Sequence, residues 1–298
     1  MRILFLFCFC TQLIVAQTHN VFPSKKYVKV VGYTFNKEFE GKMQYDESVI
    51  DPKTKNLIKG VDSVKYKLTP GQADTLLMIL NDKSTFRETE AGCFFPHHAF
   101  VFYDAANKPV AYVNICFNCK QIYSAPLYST ANFGGLSKKG DEALFLFCHN
   151  LGMPSPRHLK TMQDTDFEVG DIIKIPFIDY EPTDNYFTQT SIDSIKAVAD
   201  FLIKHPELTV EIANHTDYRG DPYHNKRLSE DRAKHCFDYL IEGLHIPANR
   251  IIPKGYGESQ PIYGEKEFQN ALKTKGKPEA ERLAAIDRRT ELIVLKVK

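Results

Sequence analysis

Residues 171–298 alternate strand-like and helix-like segments in the order βαβαββ, and this rhythm limits what the chain can fold into. "DIIKIPFIDY" (171–180) reads as a strand. "SIDSIKAVADFLIKHP" reads as a helix capped by Ser191, with Ile192, Ile195, Ala199 and Leu202 on one apolar stripe. "LTVEIAN" has the period of a half-buried strand. Asp221 and Pro222 then open a helix that runs to about Gly243. "NRIIPKGYG" and "RTELIVLKV" supply two more strands. Such an order predicts a small sheet with two helices packed on one face, an α+β sandwich.

The preceding half also reads as α+β, and as a separate domain over residues 21–152. "TPGQADTLLMILND" carries a capping box, with Thr69 as N-cap, Pro70 at the first helical position and Gln72 as its partner. "HAFVFYDAANKPVAYVNICFNC" predicts two strands joined by a turn at residues 104–108. "GDEALFLFCHNLGMP" predicts a helix ending at Gly152. Two prolines and a polar, aperiodic composition mark residues 153–170 as a linker. Intervening helices disfavour an outer-membrane barrel, which would need a succession of alternating ten-residue strands.

Met1 and Arg2 precede the apolar run "ILFLFCFCTQLIVA", which reads as a secretory signal over residues 1–16. Neither Cys8 nor Cys10 follows the small residue that a lipid-anchor signal would require. Removing the leader takes away one basic charge, and the formal net charge falls from +1 to zero. That balance gives no support to a nucleic-acid partner. Export places the chain in the periplasm, where disulfides are the default state of cysteine.

"NHTDYRGDPYHNKRLSEDRA" (214–233) concentrates charge in one turn and the start of one helix. An Asp in the turn can accept hydrogen bonds from an ammonium. A helix Arg can grip a carboxylate through two parallel, charge-assisted bonds. Asn225, Leu228 and Arg232 share one helix face by i, i+3, i+7 spacing. An Asp in a turn is more often a local hydrogen-bond acceptor, and a helical Arg is more often a solvated charge. His215 is expected to pack within the fold, and Cys236 to sit in its core.

Five words in order, "IPFIDY", "NHTDYRG", "NKRLSEDRA", "GYGESQPI" and "DRRTELIV", give residues 171–298 a strong similarity to the OmpA-type C-terminal domain family. The resemblance implies a βαβαββ fold that binds peptidoglycan without cutting it. Its implied ligand is the diaminopimelate side chain of the stem peptide. By motif position, Asp217 and Arg232 would meet the amine and carboxylate ends. Thr216 would shape the loop, and Asn225 and Leu228 would line the helix start. Arg288 and Arg289 fall on the family's arginine pair. Three departures stand out: Asn214 replaces a usual Gly, Asp287 replaces a usual Asn, and residues 263–285 form a longer segment.

In the first half, Cys93, His98, Cys116 and Cys119 form a spaced group. Their donor types suit a tetrahedral Cys3His zinc site. Export favours structural disulfides for the same cysteines instead. A redox role for Cys116 and Cys119 is disfavoured, because no helix N-terminus follows to activate a thiol. The expectation for the whole chain is a non-enzymatic protein that holds peptidoglycan and tethers its N-terminal domain, with an unidentified envelope partner, at the wall and near the outer membrane. The alternatives are an envelope protein-interaction module without wall binding, and an N-terminal metal- or thiol-dependent enzyme anchored by the C-terminal domain.

Overall fold

The computed structural model describes residues 22–35, 48–61, 64–87, 96–126, 134–154, 158–175, 178 and 187–298. The apolar leader, Cys93 and most of the "IPFIDY" word lie outside the described residues. Among the described residues, no helix is long and apolar enough to cross a membrane.

The N-terminal half is built on one antiparallel sheet. Its strands are β1 (Lys29–Thr34), β2 (Tyr66–Lys67), β3 (Phe86–Arg87), β4 (His98–Tyr103), β5 (Pro109–Cys116), β6 (Gln121–Ala125) and β7 (Gly134–Leu136). Their order across the sheet is β2-β1-β4-β5-β6-β7-β3. The turn expected between β4 and β5 is present, with Asp104 Oδ1 accepting from the N–H groups of Ala106 and Lys108 at 2.9 Å. Alternation splits β4 between two cores. Phe100 and Phe102 join a large apolar cluster with Leu76 and Leu80 of α1 (Pro70–Asn81) and Leu144 and Cys148 of α2 (Lys138–Asn150). Ala99, Val101 and Tyr103 face the other way, against Val49 and Ile50. The Thr69 capping box at the start of α1 is formed as expected.

The C-terminal half carries a second sheet of five strands: β8 (His158–Thr161), β9 (Asp171–Lys174), β10 (Leu208–His215), β11 (Ile251–Gly257) and β12 (Arg289–Val297). Their order is β11-β10-β12-β9-β8. Helices α3 (Gln189–Lys204) and α4 (Pro222–Asp238) complete the expected βαβαββ order. Ile195, Val198 and Leu202 of α3 and Cys236 of α4 pack with Val210, Ile212, Leu292 and Val294. Gly255 permits this closeness, since a Cβ there would lie 2.1 Å from the backbone nitrogen of Glu230.

Two sequence expectations need correction, and one segment adds to the expected fold. Thr188, not Ser191, caps α3: its hydroxyl accepts the Ser191 N–H at 3.2 Å, and Ser191 itself is buried. The stretch expected to be a linker supplies β8, which pairs in parallel with β9. Its short, mixed sequence has no strand period, so the pairing comes from the sheet edge it meets. The long segment before Arg288 folds into two further helices, α5 (Gly264–Thr274) and α6 (Lys277–Asp287), with a small core of Phe268, Ala271, Ala280 and Leu283.

The large N-terminal cluster does not stop at residue 152. It also contains Ile172, Ala213, Tyr256 and Ile293 from the second sheet. Glu211, on the same face of β10 as Ala213, accepts a 2.7 Å contact from His149 Nε2 and a 2.7 Å hydrogen bond from the Tyr256 hydroxyl. All three side chains are buried. The two halves therefore meet through α2, with a polar knot set inside an apolar seam.

Candidate functional site

The β10–α4 connection begins where β10 leaves the sheet. Thr216 donates its N–H to the Gly257 carbonyl at 3.0 Å, which fixes the exit. The Thr216 hydroxyl is buried and makes no hydrogen bond among the described residues. Asp217 follows and is 6% exposed. Gly220 has φ +107°, a left-handed turn that suits glycine. Asp221 then caps α4 by accepting the His224 N–H at 2.9 Å.

Asp217 is surrounded by arginine. Its Oδ1 accepts from the Arg219 backbone N–H at 3.0 Å and from Arg219 Nε at 3.2 Å. Its Oδ2 accepts from Arg219 Nη2 at 2.7 Å and Arg288 Nη1 at 2.6 Å. Burial pushes the Asp217 carboxyl up, but the hydrogen bonds from Arg219 and Arg288 outweigh it, and the group sits below the usual carboxylate range. Arg219 is itself held from behind. Its Nη1 donates to both oxygens of Glu281 at 3.1 Å, and its guanidinium carbon lies 5.9 Å from the centre of the Phe268 ring. Phe268 and Glu281 belong to α5 and α6, so the longer segment forms one wall of the site.

Arg288 leads into β12 and makes a single side-chain hydrogen bond among the described residues, the one to Asp217. Its side chain is 37% exposed, and of the five guanidinium donors only one is used among the described residues. Arg289 does something else. It contacts Glu291 Oε1 at 2.8 Å and the carbonyls of Asp287 and Gln260 at 3.3 and 3.2 Å, which braces the entry to β12. Asp287 accepts from the N–H groups of Ile262, Tyr263 and Gly264 at 2.6, 3.0 and 3.0 Å. A carboxylate satisfies that nest of three donors better than the usual Asn, which has one acceptor oxygen.

Asn225 is buried, and its Nδ2 reaches the carbonyls of Asp217 and Arg219 and Glu258 Oε2, at 3.3, 3.1 and 2.6 Å. It locks the loop to the helix. Leu228 and Arg232 lie one and two turns further along α4, both half-buried. Hydrogen bonds thus join Asp217 to Arg288 and, through its carbonyl, to Asn225, whereas Arg289 turns away. The sequence reading missed Arg219, Glu258 and Glu281. Arg219 and Glu258 stood inside quoted words, at Asp217+2 and in "GYGE". Glu281 sits in the longer segment and carried no signal.

Cys93 lies outside the described residues; of the described members of the N-terminal cysteine group, His98 and Cys116 fall on opposite faces of the sheet. Strand alternation puts His98, like Phe100, on the face of α2, while Cys116, like Asn114, lies on the opposite face. His98 is buried and shares a 2.8 Å hydrogen bond with the Pro154 carbonyl. Burial first, and the neighbouring His97 second, push its imidazole down to about 3 against that bond. Cys116 and Cys148 carry free thiols, so the disulfide expected at Cys116 is not formed. The Cys119 N–H instead points to Cys116 Sγ at 3.3 Å within the β5–β6 hairpin turn. Among the described residues no group of His, Cys, Asp and Glu is arranged to hold a metal ion.

Comparison with known proteins places the C-terminal half. The OmpA family profile matches residues 180–274. Outer membrane porin F of Pseudomonas aeruginosa is 35% identical over 74 residues, which is 25% of this chain and 21% of that protein. Outer membrane protein A of Klebsiella aerogenes is 43% identical over 53 residues, 18% of this chain and 15% of that protein. The chain therefore spans about a fifth of the length of these relatives or less. The crystal structure of the peptidoglycan-associated lipoprotein from Burkholderia pseudomallei aligns over 40% of this chain and 86% of that one, at 19% identity and a TM-score of 0.30. Residues 180–274 thus match the OmpA family.

Proposed function

We propose that the C-terminal domain binds peptidoglycan non-covalently, at the diaminopimelate stem peptide, and so tethers the N-terminal domain to the cell wall. The family match supports this reading, as do the names of its relatives. The observation that carries it is the half-exposed Arg288 guanidinium, held in place by buried Asp217 with most of its donors unused among the described residues. Such a fork suits a carboxylate, which is what a stem peptide presents. Arg232 is the second candidate cation, reached along the α4 face through Leu228. In this reading the protein is exported, works in the periplasm at the wall and near the outer membrane, and catalyses nothing through this domain.

Co-sedimentation with purified sacculi tests the proposal. Asp217→Ala, Arg232→Ala and Arg288→Ala should each abolish pull-down while circular dichroism stays unchanged. Pull-down at wild-type level by all three folded variants would remove the site.

A further inference from the structure

The four acceptor positions of a carboxylate are its two lone pairs on each oxygen. At Asp217 all four are taken, three by Arg219 and one by Arg288. A ligand ammonium could reach Asp217 only by displacing a guanidinium. Arg219 is poorly placed to leave, because Glu281 grips its far side with a bidentate pair and Phe268 lies beneath it. Asn225 also holds the Arg219 carbonyl, which fixes the loop backbone from which the guanidinium reaches Asp217.

We propose that Arg219 is a resident counter-cation that occupies the amine end of the site, so this domain reads its ligand through a carboxylate and ignores the neighbouring amine. The inference rests on the wall-binding reading and adds a specificity to it. Asp217 becomes a positioning residue, which holds Arg288 and Arg219 in place. The α5–α6 pair supplies the other half of the clamp through Glu281. The ligand class is therefore an anionic peptide head group, with free and acylated amines accepted alike.

Calorimetric titration of the full chain tests this. The probes are a diaminopimelate-containing muropeptide and the same muropeptide acetylated on the free amine of its diaminopimelate. The wild type should bind the two within about twofold of each other. Arg219→Met keeps an apolar stem over Phe268 and the backbone N–H that donates to Asp217 Oδ1, but frees the two acceptor positions held by the guanidinium. It should prefer the free amine by about tenfold, the scale of one charge-assisted hydrogen bond. A tenfold loss on acetylation in the wild type would overturn the inference, as would a folded Arg219→Met that shows no preference. If Arg219→Met does not fold, the wild-type comparison decides by itself. Failure of the folded wild type to bind either muropeptide would instead remove the wall-binding reading, and the inference with it.

Discussion

Asp217 Oδ2 and Arg288 Nη1 lie 2.6 Å apart although 71 positions separate them in the chain. The pair ties the β10–α4 loop to the start of β12. The contact is half-exposed on the arginine side and closed on the carboxylate side. Removing the carboxylate releases both arginines. Asp217→Asn should therefore weaken sacculus binding nearly as much as Asp217→Ala. A dose–response pull-down that finds Asp217→Asn indistinguishable from wild type would show that the charge on Asp217 is not needed.

Asp141 predicts a pH dependence of stability. It opens the first turn of α2, and its Oδ1 is buried without a hydrogen-bond partner among the described residues. Burial pushes its carboxyl up to about 6 from an ordinary 3.8, against the pull of Lys120. The folded state thus prefers the protonated form. Stability from this group is fully present below about pH 4 and is lost as pH rises through about 6. Asp141→Asn should stabilise the protein by about 3 kcal/mol at pH 8 and by almost nothing at pH 4. Thermal melts at the two pH values measure the difference, and a variant that melts lower than wild type at pH 8 contradicts the assignment.

The knot of His149, Glu211 and Tyr256 predicts coupling between the halves. Deleting a buried hydrogen-bonded carboxylate leaves its buried donors unpaired, at about 1–3 kcal/mol each. Glu211→Ala should lower the melting temperature and expose a protease-sensitive site within residues 153–170. Limited proteolysis reads this directly. An unchanged digestion pattern would mean that the apolar seam alone holds the halves together.

Arg250 predicts a purely structural loss. It is 8% exposed and donates to the carbonyls of Leu208, Leu202 and His205, at 2.9, 2.7 and 2.5 Å. These bonds close the end of α3 onto the start of β10. Arg250→Met should cost about 3 kcal/mol in urea unfolding, since three carbonyls lose a charged donor. It should leave muropeptide affinity unchanged, because the site is built at the other end of β10.

The thiols give a simpler test. Cys116 and Cys148 are buried, and burial pushes the Cys148 thiol above its ordinary range. Both should resist an exposed-thiol reagent in the native protein and react after denaturation. Reaction of both in the native state would mean that the sheet and α2 are not packed as described.

Much of the fold was legible because α1 and α4 begin on unambiguous caps and the C-terminal strands keep a period of two. Thr69 and Asp221 needed no tertiary information to be read. Thr188 was missed because Ser191, a cap type itself, stood closer to the apolar stripe. β8 was missed because an edge strand needs only a neighbour with open hydrogen bonds. At the site, Asp217 and Arg288 could be placed by motif, yet the partner of Arg219 could not. Glu281 reaches it only after α5 and α6 fold back. Likewise, His98 and Cys116 look like co-ligands by spacing, and only the register of β4 against β5 sends them to opposite faces.

The seam that α2 forms between the two sheets has a mechanical consequence. A load applied at Arg288, where the proposed ligand would be held, would pass along β12 to Ile293, and from there into the apolar cluster shared with Phe145 and Phe100. Tension on an anchored chain would reach the N-terminal sheet through this packed route.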